Sequence, residues 1–142
     1  MNMLFICKGN VARSQMGEAF FRQAAGAGHS VSSAGTALSG PEQPISDLLP
    51  LTKEVIDSMN EVGIDISGTV RRQLTESMAA KADKIIAIVE GDFKLPAYVA
   101  SSSKLVRWDI PDPKGKDIEF TRMVRDRIKA AVGELVKSLQ NA

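Results

Sequence analysis

The sequence predicts an α/β sandwich with a mainly parallel sheet, and three observations lead to it. The runs Met3 to Cys7 and Lys84 to Val89 are nearly continuous in apolar residues, as strands buried on both faces of a parallel sheet are. Segments with apolar residues at helical spacing alternate with such runs along the chain. A length of 142 residues with 44% hydrophobic content supplies one core, so residues 1–142 are expected to form a single domain.

The first strand, Met3 to Cys7, ends at Gly9-Asn10, and a helix is expected from Ser14. Met16, Ala19, Phe20 and Ala24 fall on its apolar stripe, and Gly26 and Gly28 are placed to stop it. Ser30 to Thr36 forms a second strand candidate, followed by Leu38 to Pro50, a loop rich in Gly, Pro and Ser. Leu51, Val55, Met59 and Val62 trace the stripe of a second helix that Gly63 terminates. Thr75 caps a short helix ahead of the third strand, Lys84 to Val89. Glu90 to Ser103, with Pro96 and three successive serines, reads as surface loop with a helical turn at most. A fourth strand, Leu105 to Trp108, leads to the turn Pro111 to Gly115. Phe120, Val124, Ile128, Val132, Leu135 and Leu139 then mark a long amphipathic C-terminal helix.

Composition narrows the function classes. With 18 basic and 17 acidic side chains there is no general field to attract nucleic acid or an acidic membrane, so any anion must be bound locally. A single cysteine excludes an intramolecular disulfide and an all-cysteine metal site, and fits a reducing, cytoplasmic setting. Met1 to Cys7 is too short for a secretory core, and no apolar run approaches the roughly 20 residues of a membrane span.

The segment Cys7-Lys8-Gly9-Asn10-Val11-Ala12-Arg13-Ser14 carries the chemistry. A lone cysteine is ordinarily a small buried hydrophobe. Here it sits at the carboxyl end of the first strand, where open α/β sheets bind ligands, with a loop and a helix N-terminus directly after it. Successive backbone N–H groups there converge on one anion, and the helix dipole favours the same charge. Gly9 lets the chain bend inward without a Cβ clash, and Asn10 tolerates left-handed geometry while bracing the loop with its amide. Arg13 offers a planar fork matched to two oxygens of a tetrahedral oxyanion. These positive surroundings favour the thiolate as nucleophile, with the Ser14 hydroxyl donating to it or serving as a helix N-cap. Asp112, held between Pro111 and Pro113, can present a carboxylate over a neighbouring loop; otherwise it is a turn former, and Asp109 is the competing acid.

Cys7 to Ser14 resembles the loop of the low molecular weight protein tyrosine phosphatase and arsenate reductase family, which runs Cys, five residues, Arg, Ser. Further matches are Ser33-Ala34-Gly35-Thr36, Gly63-Ile64-Asp65-Ile66-Ser67, Arg72-Gln73-Leu74-Thr75 and Asp112-Pro113, in order over essentially the whole chain. The resemblance implies a three-layer sandwich with a four-stranded sheet flanked by helices, and a hydrogen bond from Asn10 to Ser33. It implies in-line attack of Cys7 on phosphorus, Asp112 as general acid and then base, and no metal or other cofactor. Ala12 stands where many members have a second cysteine, Lys114-Gly115 follows Asp112-Pro113 where tyrosine phosphatases commonly have aromatics, and Thr69 lies where relatives often have histidine. The Trp108 to Gly115 segment and the last helix look at least as similar to the arsenate reductase branch.

Other signals have ordinary explanations. His29 reads as an exposed turn residue, and Gly26-Ala27-Gly28 falls after a helix, away from where a dinucleotide fingerprint belongs. Gly9 to Ser14 lacks the lysine and outer glycine of a Walker loop. Arg71 and Arg72 read as a solvated basic turn, and Arg122, Arg125, Arg127 and Lys129 as surface charge offset by Glu119 and Asp126. Trp108, Met78 and Phe93 read as packing residues.

The sequence therefore favours hydrolysis of phosphate monoesters, phosphotyrosine included, over arsenate reduction. A reductase with Cys7 alone needs an external thiol or redox partner. A phosphate-binding module without turnover is a third reading, set back by the presence of nucleophile, arginine, serine and candidate acid together.

Overall fold

A computed structural model describes residues 1–141 and contains the four expected strands, β1 (Asn2–Cys7), β2 (Ser30–Gly35), β3 (Lys84–Val89) and β4 (Leu105–Asp109). All pair in parallel, in the order β2-β1-β3-β4. Helices α1 (Arg13–Ala25), α2 (Lys53–Asn60) and α5 (Ile118–Gln140) join with one face of the sheet, and α3 (Glu76–Lys81) and α4 (Ala97–Ala100) with the other. The strands alternate as a pleat requires. Met3 and Phe5 of β1, with Ile86 and Ile88 of β3, enter the core shared with α1 and α5; Leu4, Ile6, Ile85, Ala87 and Val89 enter the second core. Both faces of β1 and β3 are covered, which is why these two central strands read as nearly unbroken apolar runs.

Several local expectations need correcting. On α1 the second aromatic, Phe21, is buried while Ala24 is exposed, because the helix is pressed by both β1 and α5 and its covered stripe is wider than one row. Leu51 lies ahead of α2 and is 51% exposed, so the α2 stripe starts at Val55. The Leu38 to Pro50 loop contains a 3-10 turn, Ile45–Leu48, whose Ile45 is fully buried. Gly63, at φ 82, lies three residues after the end of α2 and reverses the chain as anticipated. Thr75 does cap α3, accepting from the Met78 N–H at 3.2 Å.

The strand order places the site. β2 and β3 flank β1 on opposite sides, so the chain leaving β1 at Cys7 emerges over the crevice where the connections diverge. The start of the loop stays tied to the strand leaving β2: Thr36 N–H donates to Cys7 O at 2.9 Å and Ala37 N–H to Lys8 O at 3.0 Å. The close approach that demands a glycine is at Gly35, where a Cβ would stand 2.7 Å from Lys8 O. Gly9, expected to play that part, has its nearest such neighbour at 3.9 Å and ordinary backbone geometry. Tight packing here is set by the neighbouring strand and not by the loop itself.

Candidate active site

The loop from Cys7 to Ser14 curls around a point in front of the α1 N-terminus. Asn10 makes the bend, at φ 54, the left-handed region that asparagine tolerates better than most residues. The first α1 hydrogen bond runs from Met16 N–H to Ala12 O, and Ala12 occupies the N-cap with no side-chain cap. Ser14 is therefore inside the first turn and is not the N-cap. Among the described residues, none of the backbone N–H groups from Gly9 to Ser14 donates to a protein acceptor. Unpaired N–H groups at a helix N-terminus form a ready receptor for an oxyanion.

A buried chain of polar groups holds the loop and orients Cys7. The Arg72 backbone N–H, which can only donate, approaches the Asn10 side chain at 2.8 Å and so identifies that atom as Oδ1. The Asn10 Nδ2 then donates to Ser14 Oγ at 2.6 Å and to Ser33 Oγ at 3.0 Å, the second being the bond the family resemblance implies. Ser33 in turn donates to Glu18 at 2.6 Å. Ser14 Oγ lies 3.0 Å from Cys7 Sγ. Since Ser14 already accepts from Asn10 and has no other acceptor within reach among the described residues, its hydroxyl hydrogen points to the sulfur. That polarity suits a sulfur anion. Glu18 and Gln15, which donates to Asn10 O at 3.2 Å, complete the brace, and neither bond was expected from the sequence, where Glu18 reads as a solvent-side residue of the first helix.

Arg13 is 2% exposed, and its hydrogen bonds all come from Nη1, to Ile110 O at 2.9 Å and Glu90 Oε2 at 3.3 Å. Its Nη2 stands 3.5 Å from Asp112 Oδ2. Among the described residues Nε and Nη2 make no hydrogen bond, so one edge of the planar fork remains for two oxygens of a tetrahedral anion.

Asp112 and the loop share one cavity of about 360 Å³, walled by Cys7, Gly9, Val11, Arg13 and Asp112 among others. The aspartate is set by its own turn: its Oδ1 accepts from the Lys114 N–H at 2.9 Å, and its backbone N–H donates to Glu90 Oε1 at 2.7 Å. Glu90 thus ties arginine and acid together with its two oxygens. Burial pushes the Glu90 carboxyl up, but the Asp112 N–H and the Arg13 charge outweigh it, and the net direction is below the ordinary glutamate value. Its segment carried no readable pattern in the sequence. The competing acid, Asp109, ends β4 and is exposed, and its carbonyl accepts from Arg127.

Two basic groups differ from expectation. Arg71 is 4% exposed and lines the same cavity, so it is no solvated turn residue. Arg125 is buried against α2, donating to Ser58 O at 2.9 Å and to Glu61 at 2.7 Å. Trp108 packs on Phe5 with ring centroids 6.0 Å apart, and Met78 and Phe93 join the second core, as packing residues do. His29 is exposed, edge-on to Phe21.

The family model described as low molecular weight phosphotyrosine protein phosphatase matches residues 2–142. Arsenate reductase 1 of Staphylococcus epidermidis is 33% identical over 129 residues, 90% of this chain and 89% of its own. The glutaredoxin arsenate reductase of Synechocystis sp. is 29% identical over 137 residues, 96% of this chain and 97% of its own. Among solved structures, a cysteine-to-serine mutant of the YwlE arginine phosphatase, with a phosphorylated active site serine, superposes with TM-score 0.75 at 27% identity. The superposition covers 99% of this chain and 96% of that one.

Proposed function

We propose, for a chain that belongs to the low molecular weight phosphotyrosine protein phosphatase family, that it is a cytoplasmic phosphomonoesterase working through a phosphocysteine. The observation that carries this reading is the shared cavity, in which Cys7, the edge of Arg13 and the Asp112 carboxyl face one space. A phosphoryl group bound by the loop N–H groups and Arg13 is attacked in line by Cys7 Sγ. The ester P–O bond breaks as the S–P bond forms, and the leaving oxygen takes a proton from the Asp112 carboxyl. Water then attacks phosphorus and gives its proton to the Asp112 carboxylate, and the sulfur leaves as thiolate with the Ser14 hydroxyl donating to it.

Arsenate reduction is the second reading, favoured by curated relatives that bear that name at 30% identity or above. Arsenate is a tetrahedral oxyanion like phosphate, and the same loop fits it. With one cysteine, this chain needs an external thiol to complete a reductive cycle, a requirement in keeping with the glutaredoxin arsenate reductase it resembles.

The test compares p-nitrophenyl phosphate, phosphotyrosine and phosphoarginine hydrolysis with thiol-dependent arsenate reduction, for wild type, Cys7→Ser and Asp112→Asn. Phosphatase activity is expected for wild type and background for Cys7→Ser. Asp112→Asn is expected to lose about 100- to 10,000-fold on esters with poor leaving groups, and less on p-nitrophenyl phosphate. An undiminished Asp112→Asn rate on an alkyl phosphate rejects that residue as the acid, and turnover of arsenate alone selects the reductase.

A further inference from the structure

Arg71 takes no part in the chemistry just described, yet its guanidinium is buried in the wall of the reaction cavity. Its Nε donates to Pro41 O at 2.9 Å, Nη1 to Ser39 Oγ at 3.3 Å and Nη2 to Gln43 Oε1 at 3.5 Å. All three acceptors are neutral. Among the described residues Arg71 forms no ion pair, whereas the buried Arg13 and Arg125 each meet two carboxylates. A buried cation without a counter-ion is costly and attracts any anion that can reach it. The fold makes room for it: a Cβ on Gly40 would stand 2.7 Å from Nη2, although the Gly40 backbone is of a kind any residue adopts. Lys114 and Lys116, from the turn that carries Asp112, line the same cavity, and Glu54 and Asp112 are the acids of the lining. The cavity therefore holds more positive charge than the loop and Arg13 supply for one phosphoryl group.

We propose that Arg71 forms a second anion subsite, which holds a carboxylate or phosphate carried on the leaving-group side of the phosphomonoester. The inference rests on the phosphatase reading of Cys7 and Arg13. The second anionic group belongs either to an acidic residue beside the phosphorylated one in a peptide or to a small doubly anionic ester, and the chemistry that recognises it is the same.

Two matched substrate pairs test this. One is a phosphotyrosine peptide with aspartate or asparagine next to the phosphotyrosine; the other is carboxyphenyl phosphate and its carboxamide. The quantity read is the ratio of kcat/KM within each pair. A charge-assisted hydrogen bond to a desolvated guanidinium predicts a ratio of about 10 to 100 in wild type for the pair whose geometry fits. That ratio should fall to near one in Arg71→Met. Gly40→Ala, which displaces the same guanidinium from an exposed loop, should lower it too and serves if Arg71→Met does not fold. A wild-type ratio near one for both pairs overturns the proposal, as does a ratio that survives Arg71→Met. Equal loss on both members of a pair also overturns it, since Arg71 would then be a brace or a clamp on the reacting phosphoryl group. Turnover of p-nitrophenyl phosphate by wild type and not by Cys7→Ser is measured alongside; its absence fails the phosphatase reading itself, and its presence leaves the ratio to judge Arg71 alone.

Discussion

Arg13 in the cleft and Arg125 on the far helix are both buried, and each faces two carboxylates, but at different distances. Arg125 meets Glu61 at 2.7 Å and Asp126 at 2.9 Å, and Glu61 is shared with Arg122 at 2.5 Å. Arg13 stands 3.3 Å from Glu90 and 3.5 Å from Asp112. The first cluster is a closed lock between α2 and α5, in which the charges satisfy one another. The second is held open. Its carboxylates restrain the guanidinium from one side while Nε and Nη2 remain without hydrogen bonds among the described residues. On the proposed reading Arg13 receives an anion, and a group with that task cannot also be saturated by carboxylates.

The comparison breaks most visibly if the open arginine loses its fork. Arg13→Lys keeps the charge and removes the planar pair of donors, so kcat/KM for p-nitrophenyl phosphate should fall about 100- to 1,000-fold. The same exchange at Arg125 should leave kcat/KM within about twofold, since the two sites share no partner. Equal losses at the two positions, measured by steady-state kinetics, would erase the distinction between lock and receptor.

A smaller effect is expected at Glu90, which on the proposed reading acts through Arg13 and Asp112 as a positioning residue. Glu90→Gln can still accept from the Asp112 N–H but no longer restrains Arg13 by charge. Misplacing the acid and the clamp is expected to lower kcat about tenfold. Because the carboxyl is held below its ordinary value, it is charged throughout the neutral range, so the difference from wild type persists there. It closes only as pH falls below the usual glutamate range, where the native side chain also becomes neutral. A ratio of the two kcat profiles that stays flat below that range as well would show that the charge of Glu90 is not what matters.

How far the sequence foretold these two clusters differs in the same way. The strands, the Cys7 to Ser14 loop and the α5 stripe were legible because each is a local pattern, a period or a turn chemistry within a few residues. The left-handed Asn10 and its bond to Ser33 followed from the loop and its family likeness. Glu90 was hidden because its partners are 77 and 22 residues away, and nothing in Glu90-Gly91-Asp92 signals them. Arg71 and Arg72 are adjacent and look alike, but one enters the cavity wall while the other offers its backbone N–H to Asn10. The crowded glycine is Gly35 and not Gly9 for a related reason: which glycine is crowded depends on the chain packed beside it. Residue type fixes what a side chain can do, and the fold fixes which of several equals is asked to do it.

The smallest effect on activity, and the clearest on stability, belongs to the lock. Arg122 first and Arg125 second hold the Glu61 carboxyl down to about 2, from an ordinary 4.5. A carboxyl depressed in the folded state binds its proton more weakly there than in the unfolded chain, so it contributes stability in full above 4.5. That contribution is lost as pH falls through about 2. Glu61→Gln should therefore melt below wild type at pH 7, and the gap in Tm should narrow steadily between pH 4.5 and pH 2. Because Glu61 is solvent-accessible, added salt should also narrow the gap at neutral pH. Turnover of p-nitrophenyl phosphate should stay within about twofold of wild type. A Tm gap independent of pH would mean that shape at the α2–α5 contact, and not the charge of Glu61, closes the lock.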